Sequence, residues 1–243
     1  MLNDLHHIGI VVDDLDAAEN FYDNVLGLKK THREVIADQA IEAVLLNAKN
    51  CEIELLKPID DISGVAKYLE KFGNKFHHLC FTVNDIDDEL NRIKELQMEL
   101  IDHTPRKGLV GDVAFIHPKS TNGILIEIAQ PIDQEIIQST VHLNEIILKN
   151  NNDAIIQNWN NLILNDFQTI SPRLNFVDNF MNDTKIENII LSIQYENIEE
   201  VINNLNEQNI DFVNDEDYYP NQTNSIFIDA KNSYGLDIIC LEF

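Results

Sequence analysis

Positive charge is scarce in this sequence: 17 Lys and Arg stand against 42 Asp and Glu in 243 residues, a formal net charge of −25. Phosphate backbones and anionic lipid surfaces are bound by counter-charge, so neither nucleic acid nor a membrane surface is expected as a partner. Cysteine is also sparse. Cys51, Cys80 and Cys240 are odd in number and form no CxxC, which argues against a disulfide framework or a thiolate zinc site and leaves reduced thiols. No apolar run approaches the roughly 18 residues of a membrane span, and the opening MLNDLHH has neither the basic nor the apolar region of a secretory signal. The expected location is therefore the cytoplasm. A hydrophobic content of 44% suffices for a full core, in one large domain or two small ones.

What the chain does contain is a repeat. His6-His7-Ile8-Gly9-Ile10-Val11-Val12-Asp13-Asp14-Leu15-Asp16 returns as His77-His78-Leu79-Cys80-Phe81-Thr82-Val83-Asn84-Asp85-Ile86-Asp87, matching at both histidines, Val12/Val83, Asp14/Asp85 and Asp16/Asp87. Each copy is an apolar, β-branched segment stopped by Asp or Asn and followed by helical spacing, which predicts strand, N-cap and helix. In the first copy Asp14 is the expected cap and Gly27 the helix stop. Candidate strands THREVIA, QAIEAVLLN and CEIELLK follow, the last two joined by a tight turn at Ala48-Lys49-Asn50. A linking helix is expected over residues 62–72. The second copy continues with a helix over 86–97 and strands MELIDH, DVAFIHP and GILIEIA. The reading is an α+β chain of tandem βαβββ modules forming curved mixed sheets.

The rest of the chain carries the pattern more faintly. HLNEIILKNNNDA sits under HHIGIVVDDLDA, and Phe227, Ile228, Lys231 and Gly235 sit under Phe115, Ile116, Lys119 and Gly123. We therefore expect a metal-binding domain over residues 1–131 and a diverged, non-catalytic duplicate over 140–243. In that duplicate Asn144 falls under His7, Asn188 or Ile190 under His78, and Ile239 under Glu127. Residues 171–185 are too few for three strands. The Asn-rich NNNDAIIQNWNN reads as folded helix, because Ile155, Ile156, Trp159 and Leu162 keep helical spacing.

Strand alternation selects candidate site residues. If Ile8 and Ile10 pack under the helix, His7 faces the opposite side, and the same parity selects His78. Ile53 and Leu55 on the core leave Glu54 facing the pocket, as Ile126 and Ile128 leave Glu127. A carboxylate flanked by apolar residues is costly to bury unless paired or bound to a cation. Two imidazoles and two carboxylates without a thiolate suit one octahedral divalent transition metal (Co, Ni, Mn, Zn or Fe) with two positions open to substrate. His6, His77, His32, His103 and His142 read as ordinary structural or surface histidines, and Cys80 as a small wall residue.

The motifs LHHIGIVVDDLDAAENFYDNVLGL, EIELLKP, GVAKYLEKFG, HHLCFTVNDIDDEL and VAFIHPKSTNGILIEIAQ resemble the vicinal oxygen chelate superfamily, which includes glyoxalases, bleomycin resistance proteins and dioxygenases. Within it they are most similar to the methylmalonyl-CoA epimerases. The resemblance implies that His7, Glu54, His78 and Glu127 hold the metal. It implies proton abstraction from C2 of an acyl-CoA, with a metal-stabilised enediolate and Glu127 as one acid/base. For the other acid/base, the family's Gln-Gly-Val motif stands here as Gln39-Ala40-Ile41; the aligned position is Ala43 and the nearest acid is Glu42, which needs a bulge to serve. Lys119 and Ser120 of HPKST are expected at the acyl-CoA. The alternatives are a lactoylglutathione lyase of the glyoxalase I type, which shares the ligand set, and a non-catalytic binding or resistance protein. Simpler relatives pair as homodimers, so the duplicated chain is expected as a pseudo-dimeric monomer or a homodimer.

Overall fold

The computed structural model describes residues 2–132, 139–149, 152–163, 170–177, 189–215, 219 and 224–242. Residues 178–185, Asn188 and the side chain of Ile155, on which expectations were placed, lie outside the described residues.

The first module is β1 (Leu5–Val11), α1 (Leu15–Asn20) continued by a π-helical turn at Phe21–Val25, β2 (Lys29–Ile36), β3 (Ile41–Asn47) and β4 (Glu52–Pro58). Helix α2 (Gly64–Phe72) links it to β5 (Lys75–Thr82), α3 (Ile86–Glu95), β6 (Arg106–Lys107), β7 (Gly111–Ile116) and β8 (Leu125–Pro131). The repeated aspartates cap as expected: Asp14 accepts from Ala17 N at 3.1 Å and Asp85 from Asp88 N at 2.9 Å. Ser63 caps α2, and Gly27 (φ 78°) lies just past the π-helical turn. MELIDH is a correction. It forms only a bridge from Leu100 to Ile116 before the two-residue β6, because the Asp102 carboxylate takes the Phe115 N–H that a longer ladder would use.

The second half runs β9 (His142–Lys149), α4 (Asp153–Leu162), β10 (Arg173–Val177), β11 (Ile189–Tyr195), α5 (Ile198–Glu207), β12 (Val213–Asn214), β13 (Ser225–Ile228) and β14 (Asp237–Glu242). One mixed sheet has the order β2-β3-β4-β1-β5-β8-β7-β6, the other β10-β9-β11-β14-β13-β12. The second order reproduces the first without its β2-β3 edge, and the corresponding strand pairs keep the same direction. In each, the leading strand pairs parallel with one neighbour and antiparallel with the other.

The helical faces of both sheets bury into one continuous apolar core, from Leu2 to Cys240. Trp159 of α4 packs edge-on against Phe81 of β5, with ring centroids 6.4 Å apart. Tyr22 donates to Ser233 O at 2.9 Å and Tyr195 to Leu26 O at 3.0 Å, both buried. No helix among the described residues is long and apolar enough to cross a membrane.

Candidate active site

Four adjacent strands, β4, β1, β5 and β8, present His7, Glu54, His78 and Glu127 on the face opposite the helices. All four are buried, and their ligand-type atoms lie within 4.8 Å of one another. In strand register, Glu54, Gly9 and His78 form one row, and His7, Cys80 and Glu127 the next. The small residues between the four make the space. A Cβ on Gly9 would stand 2.2 Å from His78 Cε1, so the imidazole lies directly over the bare backbone.

The Nε2 atoms of His7 and His78 are 3.0 Å apart. Glu54 Oε2 lies 3.4 Å from each, and Glu127 Oε2 lies 3.0 Å from His78 Nε2 and 3.7 Å from His7 Nε2. Burial alone would raise both carboxylates, but the charges of the two histidines and hydrogen bonds to them outweigh it and hold Glu54 and Glu127 well below the usual range. Burial alone would lower the imidazoles; contacts with Cys80 and Glu54 drive His7 well above its ordinary value, and hydrogen bonds to Glu127 and Glu54 raise His78. Two buried imidazoles and two ionised carboxylates, converging from four strands without a lysine or arginine among them, fit a divalent cation in donor type, number and charge. Burial pushes the Cys80 thiol up to about 12, which makes it a neutral spacer.

Sequence reasoning missed the outer histidines. Strict alternation would turn them away, but β1 and β5 are each bulged at these pairs, at the register shifts from Leu5 to His7 and from Gly9 to Ile10. His6 Nδ1 thus lies 3.0 Å from His7 Nδ1, and His77 Nδ1 lies 3.0 Å from His78 Nδ1. Burial, then the neighbouring ring, lowers His6 to about 4 and His77 to about 3. Neutral outer rings can accept from the inner Nδ1–H, which leaves each inner Nε2 lone pair aimed at the cluster. The repeated HH pair was the available signal. Glu52, on the same face as Glu54, was also missed; burial raises its carboxyl, which sits 3.6 Å from His6 Nδ1.

Glu42 faces away from the cluster. The β3–β4 ladder has no bulge, so Glu42 shares a face with Val44 and Leu46, which pack in the helix-side core, while Ala43 and Leu45 take the cluster's side. Its carboxylate accepts from Arg33 Nε at 2.8 Å, in a network with Asp16 and Glu19. Lys119 and Ser120 stand at the end of β7, and no described contact joins them to the cluster. Lys119 Nζ is 3.4 Å from Glu99, and the Ser120 hydroxyl accepts from Glu99 N at 3.0 Å.

The second sheet repeats the bulge, between Ser192 and Ile193. Matching registers puts Glu145, not Asn144, at the place of His7, Asn175 at Glu54, Ile190 at His78 and Ile239 at Glu127. Asn144 is the bulged residue of β9, as His6 is of β1, and so stands at the position of His6. Ile147, Ile190, Ile239 and Leu241 fill this face with an apolar cluster, and Tyr219 closes over it, its hydroxyl bonded to Glu145 and Ser192.

Comparison with known proteins agrees with this fold. The family model of the Glyoxalase/Bleomycin resistance protein/Dioxygenase superfamily matches residues 6–116. An uncharacterized protein of Bacillus subtilis (strain 168) is 38% identical over 54% of this chain and 94% of its own length. An ethylmalonyl-CoA/methylmalonyl-CoA epimerase of Cereibacter sphaeroides is 35% identical over 54% of this chain and 99% of its own. The crystal structure of methylmalonyl-CoA epimerase from Mycobacterium tuberculosis superposes with a TM-score of 0.52 at 36% identity, covering 54% of this chain and 90% of that one.

Proposed function

The chain belongs to the glyoxalase/bleomycin resistance protein/dioxygenase superfamily and is an isomerase of its epimerase type, and from that premise we propose that it inverts C2 of a methylmalonyl-CoA-like thioester. The observation that carries the reading is the buried His7-Glu54-His78-Glu127 cluster, whose two carboxylates meet the two imidazoles but no buried lysine or arginine among the described residues. In this reading His7, Glu54, His78 and Glu127 would hold one divalent transition metal, which would supply Lewis-acid stabilisation of the charge left when C2 loses its proton. Glu127 takes the C2 proton: its depressed carboxyl is ionised at neutral pH and therefore able to accept. Gly9 and Cys80 keep the site open to the substrate's acyl end, and the apolar side chains of Leu45, Val113 and Phe115 on the same face exclude water around it.

Glu42 does not serve as the opposing acid in this conformation, because it faces Arg33 on the far side of the sheet. That observation favours a second reading, in which one base takes and returns the proton on a single face, as in a lactoylglutathione lyase. Incubation in deuterium oxide separates the two. Incorporation at C2 of methylmalonyl-CoA, with inversion, is the expected result; turnover of the methylglyoxal–glutathione hemithioacetal alone would replace it with the lyase.

A further inference from the structure

A cavity of about 890 Å³ lies at the seam between the two halves. Its inner wall adjoins the cluster: His77 is bonded to His78, and Leu125 is the β8 register partner of His78, two residues before Glu127. Its other walls are Tyr68 and Phe72 of α2, and Phe227 and Lys231 from the second half. A space of this size exceeds what the acyl group of a short thioester fills and matches the pockets that enclose larger ligands.

The second half brings a cation to this wall. Register places Lys231 where the first half has Lys119. Lys119 is paired with Glu99, whereas no ion pair joins Lys231 to a described carboxylate. The acids beside it, Asp229 and Asp237, accept from Lys231 N at 2.9 Å and Ala230 N at 2.8 Å, and so shape the turn that presents the lysine. Lys75 also lines the cavity, its ammonium 5.4 Å from the Phe72 ring. Aromatic faces and ammonium groups on one cavity are the pairing that a phosphorylated nucleotide requires. The diverged half has thus lost the ligand positions and kept this lysine.

We infer that the second half forms the outer wall of the substrate pocket, with Phe227 and Lys231 receiving the phosphorylated adenosine end of an acyl-CoA. This rests on the acyl-CoA reading above. The test is calorimetric titration of the full chain with coenzyme A and with methylmalonyl-pantetheine, which lacks the nucleotide, for the wild type, Lys231→Glu, Phe227→Ala and the control Lys29→Glu, an exposed lysine remote from the cavity. Lys231→Glu should weaken coenzyme A binding about tenfold or more, an effect shrinking with added salt, and leave methylmalonyl-pantetheine unchanged. Phe227→Ala should act in the same direction, and Lys29→Glu should do nothing. Equal loss for both ligands, no loss for either, or a wild type that does not bind coenzyme A overturns the inference. A wild type that binds coenzyme A through Lys231 but exchanges no C2 proton would overturn the epimerase reading and leave this site standing.

Discussion

Gly9 and His78 face each other across the antiparallel β1–β5 ladder, and the imidazole of one occupies the volume that a side chain on the other would need. A methyl at Gly9 would meet His78 Nδ1 at 2.3 Å as well as Cε1 at 2.2 Å. Gly9→Ala should therefore push the ring off the cluster while keeping the strand. The expected outcome is a loss of divalent-metal affinity of about 10–100-fold, the size seen when a ligand's support is disturbed, with an unchanged far-ultraviolet circular dichroism spectrum. Titration with Mn²⁺ or Co²⁺ showing native affinity would disprove the spacer role.

The outer histidines give a second expectation. His77→Phe keeps an aromatic ring but removes the acceptor that lies 3.0 Å from His78 Nδ1, and His6→Phe does the same for His7. Each variant should bind metal roughly 10-fold more weakly or worse, and His77→Asn, which can still accept, should recover part of the loss. Equal affinity in both phenylalanine variants would reduce the bulges to packing features.

Much of this site was legible because a strand has period 2, and the apolar partners Ile8, Ile10, Ile53, Leu55, Ile126 and Ile128 select the other face. The modules were legible from caps such as Asp14 and Asp85. What was not legible follows from departures from that period. The bulges that bring His6 and His77 to the inner rings insert a residue without any Gly or Pro to announce it. The rest depends on tertiary partners: Glu42 is drawn to Arg33, and MELIDH loses its ladder to a side chain of its own.

Protons and metal should compete at the cluster. His7 and His78 have folded-state values above 6.5, so their contribution to metal-free stability is present below 6.5 and fades as pH rises through the raised values. Glu54 and Glu127 lie below 4.5, so theirs is present above 4.5 and is lost as pH falls through the depressed values. The metal-free cluster is thus most stabilising between those limits. Metal binding should release up to one proton from each histidine near pH 6.5, and the melting-temperature gap between metal-loaded and chelator-treated protein should widen from pH 6 to pH 9. A gap independent of pH would show that the ion does not displace these protons.

Two carboxamide substitutions separate the carboxylates by function. Glu127→Gln keeps an oxygen at the cluster but loses the proton acceptor, so C2 exchange should fall about 10²–10⁴-fold with metal content largely retained. Glu42→Gln removes only a partly exposed partner of Arg33 and should leave exchange unchanged, with a stability cost of about 0–1 kcal/mol. Near-native exchange in the first, or abolished exchange in the second, would exchange their roles.

The second half bears the last expectation. Ile190 and Ile239 stand where the first sheet has His78 and Glu127, and the Glu145 carboxylate at the place of His7 is bonded to the Tyr219 hydroxyl, so among the described residues this sheet has one such carboxylate where the first has four converging donors. We expect one ion per chain by elemental analysis. The same half supplies Trp159 to Phe81, and the Asn161 and Leu162 carbonyls to Arg92 at 2.8 and 3.1 Å, which is how a covalently attached partner subunit would cover the first half. A chain ending at Gln130 exposes that apolar seam, so it should aggregate or pair with itself. Two ions per chain, or a 130-residue fragment that stays monomeric with full activity, would refute the assignment of this half as a non-catalytic partner.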